Sequence, residues 1–416
     1  MQLNDRFGPA KAAVRQALET IDDARVAVAV SGGSDSLALM VLLQEACAAQ
    51  GVALRVVSVD HRLRPESGAE LDKVAAICAA RGLTHDRLEW REWDRQGNLQ
   101  NEARKARYAL MADWARRENL GAIFLGHTID DQAETFLMRL ARKAGSTGLS
   151  GMRARTWQGG VTWLRPLLAT RRADLQAYLD AQGIDWINDP GNEDAAYERV
   201  KARRALEALS PLGIGPEVLA EVAQNLASED RILRGLVRDF AERHVGQVHG
   251  ALACDAAEFG ALDPEIALRL LGAGVTWING AAYPPRREAL CRMREALLGA
   301  RRHTLAGVIG LSRKGDIWLT REPATEPRDG TQLGAHWRVR GLKPGEDLRE
   351  LGADGLAQLK DWRGLGLPRE VLLTLPSVWS GERLVWTPVL AGGEGPRTPR
   401  AAEPIRASFT NSLADH

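Results

Sequence analysis

The stretch Val26-Ala-Val-Ala-Val30-Ser31-Gly32-Gly33-Ser34-Asp35-Ser36-Leu37 governs how the rest of this chain is read. Five alternating Val and Ala residues predict a short strand buried on both faces, and the apolar run Leu37 to Leu43 predicts a buried helix. Between them lies a Gly-Gly turn flanked by serines. Strand, glycine turn and helix bring free backbone N–H groups and the positive end of a helix to one point, which suits a phosphate. Glycine permits φ > 0 and close approach, while Ser31, Ser34 and Ser36 add hydroxyl donors. A Walker A loop is excluded, because no lysine stands at the required place and the glycines lack the four-residue gap. Asp35 is an anion where another anion should bind, which makes sense if a divalent cation or a leaving group is handled there. A tight turn without chemistry is the alternative, and the polar run straight after a buried strand argues against it.

A chain of 416 residues exceeds what one core organises and predicts two or three domains. Its 45% hydrophobic and 26% charged content is that of a globular protein, so a disordered or low-complexity chain is excluded. A net charge of +1 gives no global attraction to nucleic acid, and any such surface must be local. Of twelve tryptophans, Trp337, Trp362, Trp379 and Trp386 follow residue 330 and point to a separate C-terminal core. Cys47, Cys78, Cys254 and Cys291 are far apart with no C-x-x-C pair, which argues against a disulfide framework or structural zinc. With no basic-then-apolar leader and no run of eighteen apolar residues, the expectation is a soluble cytoplasmic protein without membrane contact.

Working outward, helices are expected over 8–22, 70–80, 99–118, 132–142 and 174–182. Strands are expected at Leu54–Asp60, Thr84–Trp90, Ala122–Leu125 and Trp163–Leu168. The alternation implies right-handed crossovers and an α/β fold with a doubly wound parallel sheet, whose ligands sit beyond the carboxyl ends of the strands. Three strand ends carry polar clusters: Ser31–Ser36, Asp60–Arg64 and Gly126–Asp131. Ser210 to Pro216 is dense in helix breakers and marks a boundary. The chain divides into a nucleotide-binding domain over 1–210, a helical domain over 216–322 and a small mixed α/β domain over 331–416. In the second, a helix is expected over Pro216–Val245, another over Arg286–Leu298, and a hairpin joins Leu305–Leu311 to Ile317–Arg321. The third is expected to end in a Gly/Pro-rich stretch, Gly392 to Pro399, and a loose tail.

Asp130, Asp131 and Glu134 have spacings that set carboxylates on one side of a helix start. The helix dipole favours acids there by roughly 0.3–1 kcal/mol each, and like charges at i,i+4 oppose by about 0.2–0.5 kcal/mol. The two effects nearly cancel, so local stability leaves the cluster unexplained, whereas a bound Mg²⁺–nucleotide explains it. A solvated acidic helix start is the alternative. His127 just upstream is read as a nucleotide contact, a proton-transfer group or a structural histidine, and His61 after Asp60 carries the same alternatives. From Arg139 to Arg172 there is no acidic residue, and such a basic segment beside a nucleotide site can contact a phosphodiester backbone; a solvated loop whose charges balance acids elsewhere on the fold is the alternative. No Ser-His-Asp arrangement or H-E-x-x-H pattern stands out, which weakens hydrolase readings.

Ser31-Gly-Gly-Ser-Asp-Ser36 resembles the signature loop of the PP-loop ATP pyrophosphatases, which cleave ATP between the α- and β-phosphates and adenylate a substrate. Within that superfamily, six stretches resemble the tRNA(Ile)-lysidine synthetases: Val59-Asp-His-Arg-Leu-Arg64, Asn101-Glu-Ala-Arg-Lys-Ala-Arg-Tyr108, Leu125-Gly-His-Thr-Ile-Asp-Asp-Gln-Ala-Glu-Thr135, Gly148-Leu-Ser-Gly-Met152, Arg165-Pro-Leu-Leu168 and Asn188-Asp-Pro-Gly-Asn192. The likeness is dense over about the first 205 residues and weaker at Leu305-Ala-Gly-Val308 and Trp318-Leu-Thr-Arg-Glu322. Gly191 stands where the family usually has serine, Arg199-Val-Lys-Ala-Arg203 lacks an asparagine, and Arg142-Lys-Ala-Gly145 replaces a more glycine-rich form.

The resemblance implies an ATP-dependent ligase that joins free L-lysine to the wobble cytidine of an isoleucine tRNA with a CAU anticodon, with ATP and Mg²⁺ required and a homodimer left open. It implies catalytic roles for Asp35, His127, Asp130, Asp131, Glu134 and Arg199. ATP binding falls to Ser31, Gly32, Gly33, Ser34, Asp35, Ser36, Asp60, His61 and Gly126, and the metal to Asp35 and Asp131. Phosphate or tRNA contacts fall to Arg104, Arg107, Arg139, Arg142, Lys143 and Arg203, with Arg286, Arg287, Arg292 and Arg294 as candidates for the acceptor stem. The rival of the same superfamily is a tRNA thiolase, which needs a reactive cysteine. Cys47 and Cys78 sit in apolar helices, where inert thiols are expected. A small-molecule amidating synthetase would not need some 200 further residues, and the intact loop argues against a non-catalytic RNA-binding protein.

Overall fold

The computed structural model describes residues 6–62, 67–90, 99–187, 198–281, 283–323, 328–329, 332–333, 337–390, 402–404 and 408–414. Leu63, Arg64, the Asn188–Asn192 motif and the Gly392–Pro399 stretch lie outside them. The chain divides into two units, Met1–Asp230 and Arg231–His416. The first runs α1 (Gly8–Glu19), β1 (Arg25–Ala29), α2 (Ser34–Gln50), β2 (Ala53–Asp60), α3 (Ser67–Ala80), β3 (Thr84–Glu89), α4 (Leu99–Arg117), β4 (Ala122–Leu125), α5 (Ile129–Ala141), α6 (Ser146–Leu149), β5 (Arg155–Gln158), β6 (Val161–Leu164), α7 (Arg172–Ala181) and α8 (Glu198–Leu209). The division falls inside the following helix, α9 (Pro216–His244).

The sheet of this unit has the order β3-β2-β1-β4-β6-β5. Every neighbouring pair is parallel except β5–β6. Alternation in β1 divides its side chains between two cores. Val26 and Val28 join residues of α1, α2, α3 and α7, while Ala27 joins Met111, Trp114 and Ala115 of α4. The strand is therefore covered on both faces, as its unbroken apolar run requires. Strand order reverses between β1 and β4, so the loops after these two strands open into the crevice where such sheets bind ligands.

One part of this sheet departs from expectation. Strand β6 spans Val161–Leu164, not Trp163–Leu168, and pairs with an unforeseen antiparallel strand, β5. Pro166 has no N–H for a ladder and ends the strand. Gly159 and Gly160, at φ +65° and +80°, make the two-residue turn that joins the hairpin.

The second unit contains a five-stranded sheet in the order β7-β8-β11-β10-β9; the expected hairpin is its β10–β11 pair, and β7, β8 and β9 were not foreseen. Its elements are β7 (Val245–Val248), β8 (Ala251–Asp255), α10 (Ala256–Ala261), α11 (Pro264–Asn279), α12 (Arg287–Leu298), β9 (His303–Leu305), β10 (Val308–Arg313) and β11 (Asp316–Arg321). Helices α11 and α12 cover one face, with Leu271, Val275 and Met293 packed on Leu252, Val308 and Leu319. Two small sheets follow. One comprises β12 (Arg328–Asp329), β13 (Gln332–Leu333), β14 (Trp337–Val339) and β18 (Ala402–Pro404); the other comprises β15 (Asp347–Glu350), β16 (Pro376–Ser380) and β17 (Arg383–Trp386). The tail is not loose throughout: Phe409, 2% exposed, is buried in the same core as Leu271. No helix among the described residues is long and apolar enough to cross a membrane.

Candidate active site

The turn after β1 depends on Gly32, which sits at φ +91°. A Cβ there would collide with the Ile187 side chain, whose backbone N–H donates to Gly32 O at 2.9 Å. Ser31 N donates to Ser36 Oγ at 3.1 Å, and Ser36 Oγ donates to Gly33 O at 3.0 Å, so the loop closes on its own serine. Gly33 stands at the N-cap of α2 and offers no side-chain acceptor, which leaves the first-turn amides free. Helix α5, on the other side of the crevice, is sealed. Thr128 N donates to Asp131 Oδ2 at 2.9 Å and Asp131 N donates to Thr128 Oγ1 at 3.4 Å, a capping box. Only α2 of this pair presents donors to an anion.

Gly126 brings the two loops together. A Cβ on it would stand 2.8 Å from Asp35 O and 2.9 Å from Ser36 Cα, which are backbone atoms and cannot swing away. Gly126→Ala is therefore expected to displace the loop and lower kcat/KM by about 100-fold. Steady-state kinetics on a variant with unchanged circular dichroism checks this, and an unaltered kcat/KM would show that the contact is dispensable.

Between the loops, carboxylates and guanidiniums form one cluster. Arg172, at the start of α7, donates from Nε to Asp35 Oδ2 at 2.8 Å and from Nη2 to Asp131 Oδ1 at 3.4 Å, and its Nη1 lies 3.6 Å from Glu134 Oε1. Its backbone N–H donates to Asp130 Oδ2 at 2.8 Å. Arg203 donates from Nε and Nη2 to Glu134 Oε1, both at 3.0 Å. Arg199 stands 4.0 Å from Asp131 Oδ1. Glu134 is 1% exposed, and its Oε2 is buried without a partner. Burial pushes the Asp35 carboxyl above its usual range, and Arg172 offsets only part of that. Burial also opposes ionisation of Asp131, but the Arg199 and Arg172 guanidiniums outweigh it and hold its pKa low.

A second group is almost wholly cationic. The Arg104 and Arg107 guanidiniums lie 5.3 and 5.9 Å from the Tyr108 ring centroid, and Arg165 Nη2 donates to Tyr108 Oη at 3.3 Å. Among the described residues no carboxylate pairs with Arg104, Arg107 or Arg165. Arg107 Nε is buried without a partner. Burial, reinforced by Arg104, Arg199 and Arg165, pulls the Arg107 pKa below the ordinary arginine value. Arg165 is buried, Arg107 half-buried and Arg104 exposed, and like charges gathered this closely without a paired carboxylate suit an anion. His127 is buried too, and desolvation drives its pKa far below the histidine range, since the pull of Asp131 is answered by Arg107, Arg165 and Arg104.

The structure thus gathers Ser31–Ser36, Gly126, His127, Asp130, Asp131, Glu134, Arg199 and Arg203 around Arg172, with Arg104 and Arg107 beside them. Asp60 closes the turn after β2 by accepting from Arg62 N at 2.8 Å and Ser67 Oγ at 2.9 Å. His61 lies edge-on to Trp90, with ring centroids 5.8 Å apart, and burial lowers its pKa, aided by Arg107. Arg139 Nη1 donates to Gly148 O at 2.7 Å and Gly151 O at 3.1 Å, which holds the glycine loop. Arg142 pairs with Glu198, and Lys143 is exposed at φ +56°. In the second unit, Arg287 pairs with Glu265.

Sequence reasoning placed Arg172 and Arg165 in the acid-free basic segment and gave neither a role of its own in the site. A signal existed for the first. Arg171 and Arg172 open a helix, where the dipole disfavours cations, so nearby carboxylates were required. Thr128-x-x-Asp131 was likewise a readable capping pattern.

Residues 9–209 match the family model described as a PP-loop domain. The chain is 45% identical over 376 residues to a tRNA(Ile)-lysidine synthase of Ruegeria pomeroyi, covering 88% of this chain and 89% of that protein. It is 35% identical over 368 residues to one of Hyphomonas neptunium, covering 85% and 98%. Among solved structures, a U34-tRNA thiolase from Methanococcus maripaludis aligns with TM-score 0.47 and 16% identity over 54% of this chain and 80% of that one.

Proposed function

Because this chain belongs to the tRNA(Ile)-lysidine synthase family, whose members are ATP-using PP-loop ligases acting on tRNA, we infer that its cluster carries a two-step transfer on the wobble cytidine of an isoleucine tRNA with a CAU anticodon. In the first step O2 of the cytosine attacks the α-phosphorus of ATP, the α–β bond breaks and pyrophosphate leaves. In the second the ε-amine of free lysine, having lost a proton, bonds to C2, and the C2–O bond breaks to release AMP. The observation that carries this reading is the Arg172-centred cluster beside the uncapped start of α2, at the point where strand order reverses.

Residue roles follow from the chemistry each group offers. The free amides of α2 bind phosphate, and Arg104, Arg107 and Arg165 neutralise charge as pyrophosphate and AMP depart. Glu134 Oε2 is an unpartnered anionic acceptor, suited to the lysine ammonium or to the proton it loses, and Asp130 stands next to it along α5. Asp35 and Asp131 converge on one guanidinium and form an oxygen-only donor set, which fits Mg²⁺ bound through one or two carboxylates and substrate phosphates. When bound, that ion would screen phosphate charge. His127 is neutral and so positions the base by hydrogen bonding, not as a cationic acid.

A buried neutral histidine also has a pH signature. The unfolded chain takes a proton near pH 6.5 and the folded one does not, so His127 contributes stability above that pH that is lost as pH falls below it. The pH profile of kcat should accordingly show no step near 6.5, and His127→Asn should leave its shape unaltered. A step at 6.5 that vanishes in the variant would refute this.

The function is tested by incubating the protein with ATP, radiolabelled lysine and bulk tRNA and measuring label in RNA. Absence of label, with labelled sulfur transferred in its place, would favour the thiolase. The cysteines speak against that outcome: burial pushes the Cys47 and Cys78 thiols up to about 11, and neither neighbours the cluster.

A further inference from the structure

Trp157 on β5 is 66% exposed, a large apolar ring presented to solvent. Strand β5 is the outermost of the sheet, and the period of two places Arg155 on the same face as Trp157. Arg153 and Arg155 are both exposed, and neither pairs with a carboxylate among the described residues. No acidic residue occurs from Arg139 to Arg172, so nothing within this segment neutralises the patch. Thr156, on the face of β5 opposite Trp157, links the strand to the cationic group described above. Arg165 Nη1 donates to Arg153 O and to Thr156 Oγ1, each at 3.1 Å, while its Nη2 reaches Tyr108. Trp157 pairs with Thr162 and Arg155 with Leu164, so the ring stands about 7 Å along the strand from the end that adjoins Arg165.

An exposed indole flanked by guanidiniums is the combination that binds single-stranded nucleic acid, with a π-face for a base and charges for the adjoining phosphates. We propose that Trp157 is the stacking platform for an unpaired anticodon-loop nucleotide next to the modified cytidine, with Arg153 and Arg155 on its phosphates. This rests on the tRNA reading above.

Trp157→Ala should weaken binding of the tRNA, and of an anticodon stem-loop, by about tenfold in filter-binding assays. The loss should appear in KM for tRNA more than in kcat, and Trp157→Phe should restore most of it. Arg155→Gln should lower the slope of log Kd against log salt by about 0.7. If the wild-type protein ligates lysine to tRNA and Trp157→Ala binds as tightly as wild type, the platform is wrong and the function stands. A change in sedimentation without a change in tRNA affinity would likewise overturn the platform, assigning the ring to a contact between protein copies. If wild type fails to label tRNA, the function itself fails.

Discussion

Asp35→Asn is expected to reduce lysine- and tRNA-dependent pyrophosphate release by about 10²–10³-fold while raising the melting temperature. The activity loss follows from removing one preorganised charge from a site built to manage phosphate. The stability gain follows from the sign of its pKa shift. Burial raises the carboxyl above its unfolded value, so the fold favours the neutral form and ionisation opposes folding at every pH above that value. Asparagine removes the penalised charge, and Arg172 keeps Asp131 and Glu134. Thermal melts at pH 7 and a pyrophosphate assay read the two effects separately. A variant that is both less stable and fully active would contradict the site.

Arg172→Ala should act in the opposite sense on stability. It strips the cation from Asp35 and one of two from each of Asp131 and Glu134, and breaking buried pairs in this way costs about 3 kcal/mol. For a unit of this size the melting temperature should fall by roughly 6–12 °C. Lysine should rescue little, because Nε, Nη1 and Nη2 each face a different carboxylate and an ammonium is a single point charge. Combining Arg172→Ala with Asp35→Asn should recover part of the loss, since the two residues are coupled. Added Mg²⁺ should raise the melting temperature of Arg172→Ala more than that of wild type if Asp35 and Asp131 accept the ion. Equal shifts would remove those two as its ligands.

What the sequence made legible was local. The β1–loop–α2 reading needed only alternation, glycines and an apolar run, and the strand-end clusters followed from α/β alternation alone. The salt bridge that centres the site joins residues 137 positions apart, and no periodicity encodes such a partner. Strand β5 was hidden because its residues read as a basic loop, although Gly159-Gly160 is a hairpin turn. The strands β7 and β8 were hidden because each is only four or five residues long after a 29-residue helix. Phe409 lies beyond a Gly/Pro-rich stretch, in a six-residue helix (Phe409–Ala414) that carries too few apolar residues to stand out from a tail.

Asp131 divides its two oxygens between tasks: Oδ2 ties down the first turn of α5, and Oδ1 faces Arg172 and Arg199. Under the proposed function, one carboxylate would serve both architecture and chemistry at this position. A lineage that no longer needed the reaction would still be held to a carboxylate by the requirement to begin a helix. Asp130, which accepts from one backbone N–H and lies at the edge of the Arg171 charge, carries no such double obligation. Mutational tolerance should be narrow at 131 and wider at 130, so loss-of-function surveys will find position 131 first and mistake part of its folding duty for catalysis.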